Sequence, residues 1–163
     1  MILDAFSLQG KVAVVSGCDT GLGQGMALGL AEAGCDIVGI NIVEPTETIE
    51  RVTALGRRFL SLTADLRKID AIPELLDRAV AEFGHIDILV NNAGRHCKKP
   101  VLDVTQEDLQ NVLDVHLMGS FALTKAVVPG MLERKKGNIL FISSMSAYLG
   151  MTQVTAYSAA KSA

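Results

Sequence analysis

The chain has 163 residues, of which 49% are apolar, and this fits one domain with a hydrophobic core. Its formal net charge is -3, so it lacks the positive charge that attracts the phosphate backbone of nucleic acids, and we expect no nucleic-acid partner. The N-terminus does not resemble a signal peptide and we find no apolar run of bilayer length, which predicts a cytoplasmic protein without membrane contact. Three scattered cysteines, Cys18, Cys35 and Cys97, indicate neither disulfides nor a metal site.

Five short apolar runs rich in β-branched residues predict strands that are covered on both faces. They lie at residues 12–15, 37–40, 59–63, 86–90 and 139–142. Helical spacing appears between them, at residues 22–33, about 47–55, 69–83 and 105–135. This alternation predicts an α/β fold with a doubly wound, Rossmann-type parallel sheet in the strand order 3-2-1-4-5.

A glycine-rich loop follows the first predicted strand and opens the first predicted helix. Gly17 permits a tight turn, Gly21 lets backbone N–H groups approach a pyrophosphate, and Gly23 lets helix and strand pack closely. Asp19 and Leu22 belong to the same predicted cofactor-binding loop. The alternative is that the loop only reverses the chain. The position of the loop between a strand and a helix favours dinucleotide binding.

The ends of the second and third strands indicate which dinucleotide binds. Asn41 and Ile42 stand where an acidic residue usually contacts the adenosine ribose, and neither is a cation that could neutralise a 2′-phosphate. The carboxylate of Asp19 would repel a 2′-phosphate, so NAD is favoured over NADP. Asp65 and Leu66 follow the third strand, where they either contact the adenine or, in the case of Asp65, cap a helix.

A small polar turn, Asn91-Asn92-Ala93-Gly94, follows the fourth strand. Ligands of open α/β folds bind at this edge of the sheet, so we assign Asn92, Ala93 and Gly94 to the cofactor site. An ordinary Asn-Gly turn is the alternative interpretation.

Near the C-terminus, Tyr157 and Lys161 are four residues apart, so on a helix that begins near Thr155 they share one face. Ser144 follows the fifth strand. A YxxxK pair alone is common by chance, but its combination with this serine and the glycine loop indicates catalysis.

These motifs, in this order and spacing, resemble those of the short-chain dehydrogenase/reductase family. The resemblance covers the whole chain and implies an NAD(P)-dependent oxidoreductase acting on a secondary alcohol or ketone. It implies that Tyr157 exchanges a proton with the substrate oxygen, that Lys161 assists Tyr157 and holds the nicotinamide ribose, and that Ser144 orients the reacting oxygen. Residues 1–94 resemble the sugar-acid branch more closely, which implies a substrate such as 2-dehydro-3-deoxy-D-gluconate.

One residue departs from the family pattern inside the long predicted helix. His116 stands where the family usually places an asparagine that holds a water of the proton relay. A neutral imidazole can make comparable hydrogen bonds, so we include His116 among the catalytic residues. The alternative is a histidine that is merely packed within the helix.

Members of the family continue beyond the Tyr-Lys helix with further strands and a substrate lid. We therefore expect residues 1–163 to form a single dinucleotide-binding domain without that C-terminal part, with an exposed apolar fifth strand and a tendency to form homo-oligomers. An inactive dinucleotide-binding or assembly module is the alternative to an enzyme.

Overall fold

A computed structural model describes residues 2–163 of the chain. Five strands form one parallel sheet in the order β3-β2-β1-β4-β5, which confirms the predicted fold class and strand order. The strands are β1 Val12–Ser16, β2 Asp36–Asn41, β3 Phe59–Thr63, β4 Ile88–Asn91 and β5 Asn138–Phe141. The predicted fourth strand therefore begins two residues later than expected, and the fifth is shifted by one.

Six α-helices connect or follow these strands. They are α1 Gly21–Glu32, α2 Thr46–Ala54, α3 Ile72–Phe83, α4 Gln106–Leu113, α5 Ser120–Arg134 and α6 Thr155–Ser162. The predicted helix at 69–83 begins as a 3-10 turn, Ile69–Ala71, and Pro73 lies in the first turn of α3. The predicted helix at 105–135 is α4 and α5 joined by a π-helical segment, Asp114–Gly119.

Successive residues of β1 point to opposite faces of the sheet and so reach two separate cores. Val12 and Val14 pack in one core with α3 and α5, whereas Ala13 and Val15 pack in the other with α1. Both faces of the central strands are thereby covered, which explains why their sequences are apolar without alternation. The carboxyl ends of the strands all meet at one edge of the sheet, where the predicted site residues lie.

The fifth strand lies at the edge of the sheet, as expected. The side chains of Leu140 and Phe141 are 46% and 59% exposed there. By length and composition, the continuous helix Gln106–Arg134 is long and apolar enough to cross a membrane, so our expectation of no such run was wrong. Leu123 and Val127 of this helix are buried against the sheet, and core helices of soluble proteins pass the same test.

Candidate active site

The glycine loop after β1 has a shape that favours glycine at three positions. Gly17 and Gly21 have positive φ angles of 67° and 59°. A Cβ atom on Gly17 would lie 2.9 Å from the Cα of Ala93, and one on Gly23 would overlap the carbonyl oxygen of Gly17. The loop is therefore pressed against the turn that follows β4, and the first turn of α1 lies close beneath it.

The N-terminus of α1 presents backbone amides that no described residue caps. Thr20 is the N-cap residue, but its side chain makes no capping hydrogen bond. The amides of Leu22 and Gly23 lie in the first helical turn, where N–H groups have no intrahelical acceptor. Together with the positive end of the helix dipole, these groups form a cradle that fits a phosphate.

The turn after β4 is joined to the glycine loop by a set of hydrogen bonds. The Ser16 hydroxyl accepts from the backbone amides of Asn92 and Ala93, both at 3.1 Å, and donates to the carbonyl oxygen of Val90. The Asn92 side-chain amide donates to the carbonyl oxygens of Ser16 and Gly17 at 3.1 and 2.8 Å. The turn therefore fixes the glycine loop and is more than a chain reversal. Sequence reasoning missed Ser16, although a polar residue closing an apolar strand is a usable signal.

The side chain of Asn41 is directed beneath the glycine loop. It is only 3% exposed, and its Oδ1 accepts from the backbone N–H of Cys18 at 2.7 Å. Thr48, which sequence reasoning also missed, donates to the carbonyl oxygen of Cys18 at 2.8 Å. Burial raises the pKa of the Cys18 thiol to about 11, so this thiol stays protonated at neutral pH. Asn41 thus supports the loop, and its predicted contact with a cofactor remains a prediction.

A groove of about 320 Å³ runs along the ends of β1, β2 and β3. Of the predicted cofactor residues, Gly17, Asp19, Asn41, Asp65, Leu66, Ala93 and Gly94 line it. The Asp65 carboxylate binds the Arg67 guanidinium at 2.6 Å, and hydrogen bonds from Arg67 lower the pKa of this carboxyl to about 2. Asp65 does not cap a helix, because the next helical segment has Lys68 as its N-cap. That alternative was wrong.

Helix α6 begins at Thr155, as predicted, and carries Tyr157 and Lys161 on one face. The Lys161 ammonium lies 5.7 Å from the centre of the Tyr157 ring and donates to the carbonyl oxygen of Ile142, at the end of β5. Burial lowers the pKa of Lys161. The Ser144 hydroxyl accepts from the backbone amide and the hydroxyl of Ser146, rather than bonding to Tyr157.

His116 lies in the π-helical segment and packs edge-on against the Tyr157 ring, with 5.4 Å between ring centres. Its Nε2 atom is 2.9 Å from the backbone nitrogen of Arg95. Desolvation is the main cause that lowers the pKa of His116, with a smaller contribution from the Lys161 charge. The same Nε2 atom lies 3.0 Å from the carbonyl oxygen of Arg95, so it accepts from the Arg95 N–H when it is unprotonated and donates to the carbonyl when it carries the proton. The structure thus brings His116 to Tyr157, while its part in a relay remains a prediction.

A second histidine packs on Tyr157 that sequence reasoning did not single out. The rings of His96 and Tyr157 are 4.5 Å apart at their centres and inclined by 31°. His96 follows Gly94 by two residues, and this closeness to the turn after β4 could have indicated that it lies near the site. Among the described residues, no group of three His, Cys, Asp or Glu side chains is placed to hold a metal ion.

The short-chain dehydrogenase family model matches residues 11–163. The chain belongs to this family. It is 63% identical over 163 residues to the 2-dehydro-3-deoxy-D-gluconate 5-dehydrogenase of Escherichia coli (strain K12), and 52% identical over 164 residues to that of Dickeya dadantii (strain 3937). These alignments cover 99% and 100% of the chain, so the likeness is not confined to residues 1–94. The chain spans 64% and 65% of the length of these relatives.

Solved structures of the family have the same fold. A structure from Sinorhizobium meliloti 1021, named as a short-chain alcohol dehydrogenase, superposes with a TM-score of 0.93 at 32% identity, covering 96% of this chain and 63% of its own. An NAD+-bound xylitol dehydrogenase superposes with a TM-score of 0.90 at 32% identity, covering 94% of this chain and 60% of its own. A structure from Beutenbergia cavernae, named as an NAD(P)-dependent gluconate 5-dehydrogenase and holding NADP at low occupancy, superposes with a TM-score of 0.89 at 30% identity, covering 96% of this chain and 63% of its own. Both dinucleotides therefore occur among its structural neighbours.

Replacing Gly23 by alanine should abolish the fit of the glycine loop, because the new Cβ would overlap the Gly17 carbonyl oxygen. We expect Gly23→Ala to weaken NADH binding by about tenfold or more in a fluorescence titration. Gly25→Ala is the matched control, since a Cβ at Gly25 meets no atom within 4 Å. Equal NADH affinities for the two variants would contradict the assigned packing.

The buried His116 should make the stability of the fold sensitive to acid. The pKa of His116 is lower in the folded state than in the unfolded state, where it is about 6.5. Its neutral form therefore contributes fully to the stability of the fold above pH 6.5. As the pH falls from there through the lower folded value, the unfolded state binds more protons and stability is lost. Urea unfolding at several pH values should show a smaller acid loss for His116→Gln than for the unaltered chain. An identical loss in both proteins would refute this assignment.

Proposed function

We propose that this protein is an NAD-dependent oxidoreductase that transfers a hydride between nicotinamide and a secondary alcohol or ketone. The observation that carries the proposal is the meeting of Tyr157, Lys161 and His116 beside the turn that follows β4, at the carboxyl edge of the sheet. The two relatives described above are 2-dehydro-3-deoxy-D-gluconate 5-dehydrogenases, which supports a sugar acid such as 2-dehydro-3-deoxy-D-gluconate as the substrate.

The residues of the glycine loop fit a dinucleotide. The uncapped amides at Leu22 and Gly23 would bind its pyrophosphate, and Gly21 leaves open space above the helix for that approach. The groove beside Asp65, Leu66 and Asn41 would hold the adenosine. When bound, the nicotinamide supplies hydride chemistry that side chains cannot perform.

The side chains around Tyr157 would manage the proton and the orientation of the substrate. The Tyr157 hydroxyl would exchange a proton with the substrate oxygen, and the Lys161 ammonium stabilises negative charge on the phenol by opposite-charge attraction. Ser144 would hydrogen-bond the reacting oxygen and exchange its present Ser146 contacts to do so. The His116 ring is held at Nε2 by the backbone of Arg95, and its Nδ1 atom would hold a water beside this group.

We propose NAD rather than NADP as the preferred coenzyme. At the end of β2, Ile42 is 71% exposed and offers no charge to a 2′-phosphate. Asp19 and Asp65 line the same groove, and the Arg67 guanidinium is already paired with Asp65. Arg95 lines this groove as well, so the preference rests on Asp19 and on the lack of a cation at Asn41 and Ile42, and we expect NADPH to bind several-fold more weakly than NADH in parallel fluorescence titrations.

We also propose that the protein is a cytoplasmic homo-oligomer. The thiols Cys18, Cys35 and Cys97 are free and buried, which suits a reducing compartment. Exposed apolar side chains on α5, among them Phe121 and Leu132, form a surface that a second copy could cover. Light scattering on protein from the cytoplasmic fraction should give a mass of at least two chains. A dispersed monomer would refute the oligomer.

Tyr157→Phe removes the group that exchanges the proton, so we expect turnover of the sugar acid to fall at least about 100-fold. NADH binding should persist, because the glycine loop is unaffected. Tyr148→Phe is the matched control, since Tyr148 is the other tyrosine of the chain and is 84% exposed. Turnover that is insensitive to Tyr157→Phe, or absent with NADH still bound, would favour the alternative of an inactive dinucleotide-binding or assembly module.

A further inference from the structure

A short loop beside Tyr157 concentrates positive charge. Residues 95–99 read Arg-His-Cys-Lys-Lys, and we call them the basic loop. Four of these five side chains can carry a positive charge, although the formal net charge of the whole chain is -3. The basic loop lines a cavity of about 330 Å³, together with Asp108 and Asn111 of α4.

The basic loop is held firmly against α4 and α6. The Cys97 side chain is buried with Val112, Ala156 and Ala160. The backbone N–H of Lys99 donates to the carbonyl oxygen of Gln153 at 3.0 Å, just before α6. At the other end, the backbone of Arg95 is bonded to the His116 ring. The charges of the loop therefore have a defined position relative to the catalytic helix.

The charges of the basic loop are only partly neutralised. The Lys99 ammonium pairs with the Asp108 carboxylate at 2.7 Å, and Asp108 also accepts from Thr105. The side chains of Arg95 and Lys98 are exposed, and no ion pair of the described residues includes either of them. Two uncompensated cations thus flank His96, whose ring stacks on Tyr157 at 4.5 Å.

From this arrangement we infer that the basic loop binds the carboxylate of the substrate, with Lys98 and Arg95 supplying the charge. The inference rests on the proposed function, since it names the group by which the same site recognises its substrate. His96 acts as a positioning residue that keeps the loop against Tyr157. An anionic group held there places the rest of a hydroxy or keto acid beside Tyr157, whose hydroxyl exchanges the proton. Neutral polyols of the same length lack this anchor.

A proton NMR titration tests this binding without relying on turnover. The chain has only three histidines and two tyrosines, so the ring signals of His96 and Tyr157 can be assigned with single-site variants. We expect D-gluconate to shift both signals to saturation, while the neutral polyol D-glucitol does not. The signal of His85, which lies outside this site, should stay unchanged.

Variants of the two cations define the binding group. Lys98→Gln and Arg95→Gln should each raise the dissociation constant for gluconate by about fivefold, and added salt should weaken binding. Lys136→Gln, an exposed lysine after α5, is the control and should have no effect. Equal shifts with glucitol, no shift with gluconate, or unchanged binding in both cation variants would overturn the inference.

The outcome separates this inference from the proposed function. If gluconate binds at the loop but turnover is absent, the carboxylate site stands and the oxidoreductase proposal fails. If turnover depends on Tyr157 but acid and methyl ester substrates react equally in all variants, the oxidoreductase proposal stands and the carboxylate site is wrong.

Discussion

The site depends on one clamp between the two turns at the carboxyl edge of the sheet. The Ser16 hydroxyl bonds to the amides of Asn92 and Ala93, while the Asn92 side chain bonds back to the carbonyl oxygens of Ser16 and Gly17. These groups are 75 to 77 residues apart in sequence, so only the pairing of β1 with β4 brings them together. The clamp thereby fixes the glycine loop directly before α1, whose first-turn amides have no side-chain cap.

The side chains proposed to react are connected to this clamp through a second set of contacts. The small apolar cluster of Cys97, Val112, Ala156 and Ala160 holds α6 against α4, and Lys161 bonds to the end of β5. His116 then links Tyr157 to the backbone of Arg95, directly after the clamped turn. The π-helical segment supports this link, because its extra residue per turn changes the direction of the side chains that follow α4.

The sequence predicted the sheet well because burial on both faces imposes a pattern that local reading detects. It also placed Tyr157 and Lys161 on one helix, since their spacing alone decides this. It could not predict that Asn41 bonds to Cys18, or that His96 stacks on Tyr157, because both contacts arise when separate segments pack together. The π-helical segment was missed for the same reason: its hydrogen-bond pattern depends on tertiary packing rather than on residue preference.

The positive charges around Tyr157 are disfavoured by burial, but they would attract an anion. Burial lowers the pKa of both Lys161 and His116, which means that the fold disfavours their charged forms. Lys161 nevertheless keeps a backbone carbonyl as a partner, and Arg95 and Lys98 add charge at the solvent side. A negative charge that binds beside Tyr157 would offset this excess positive charge. The same positive charge would therefore favour binding of an anionic substrate and of the oxygen charge that develops during the proposed proton exchange.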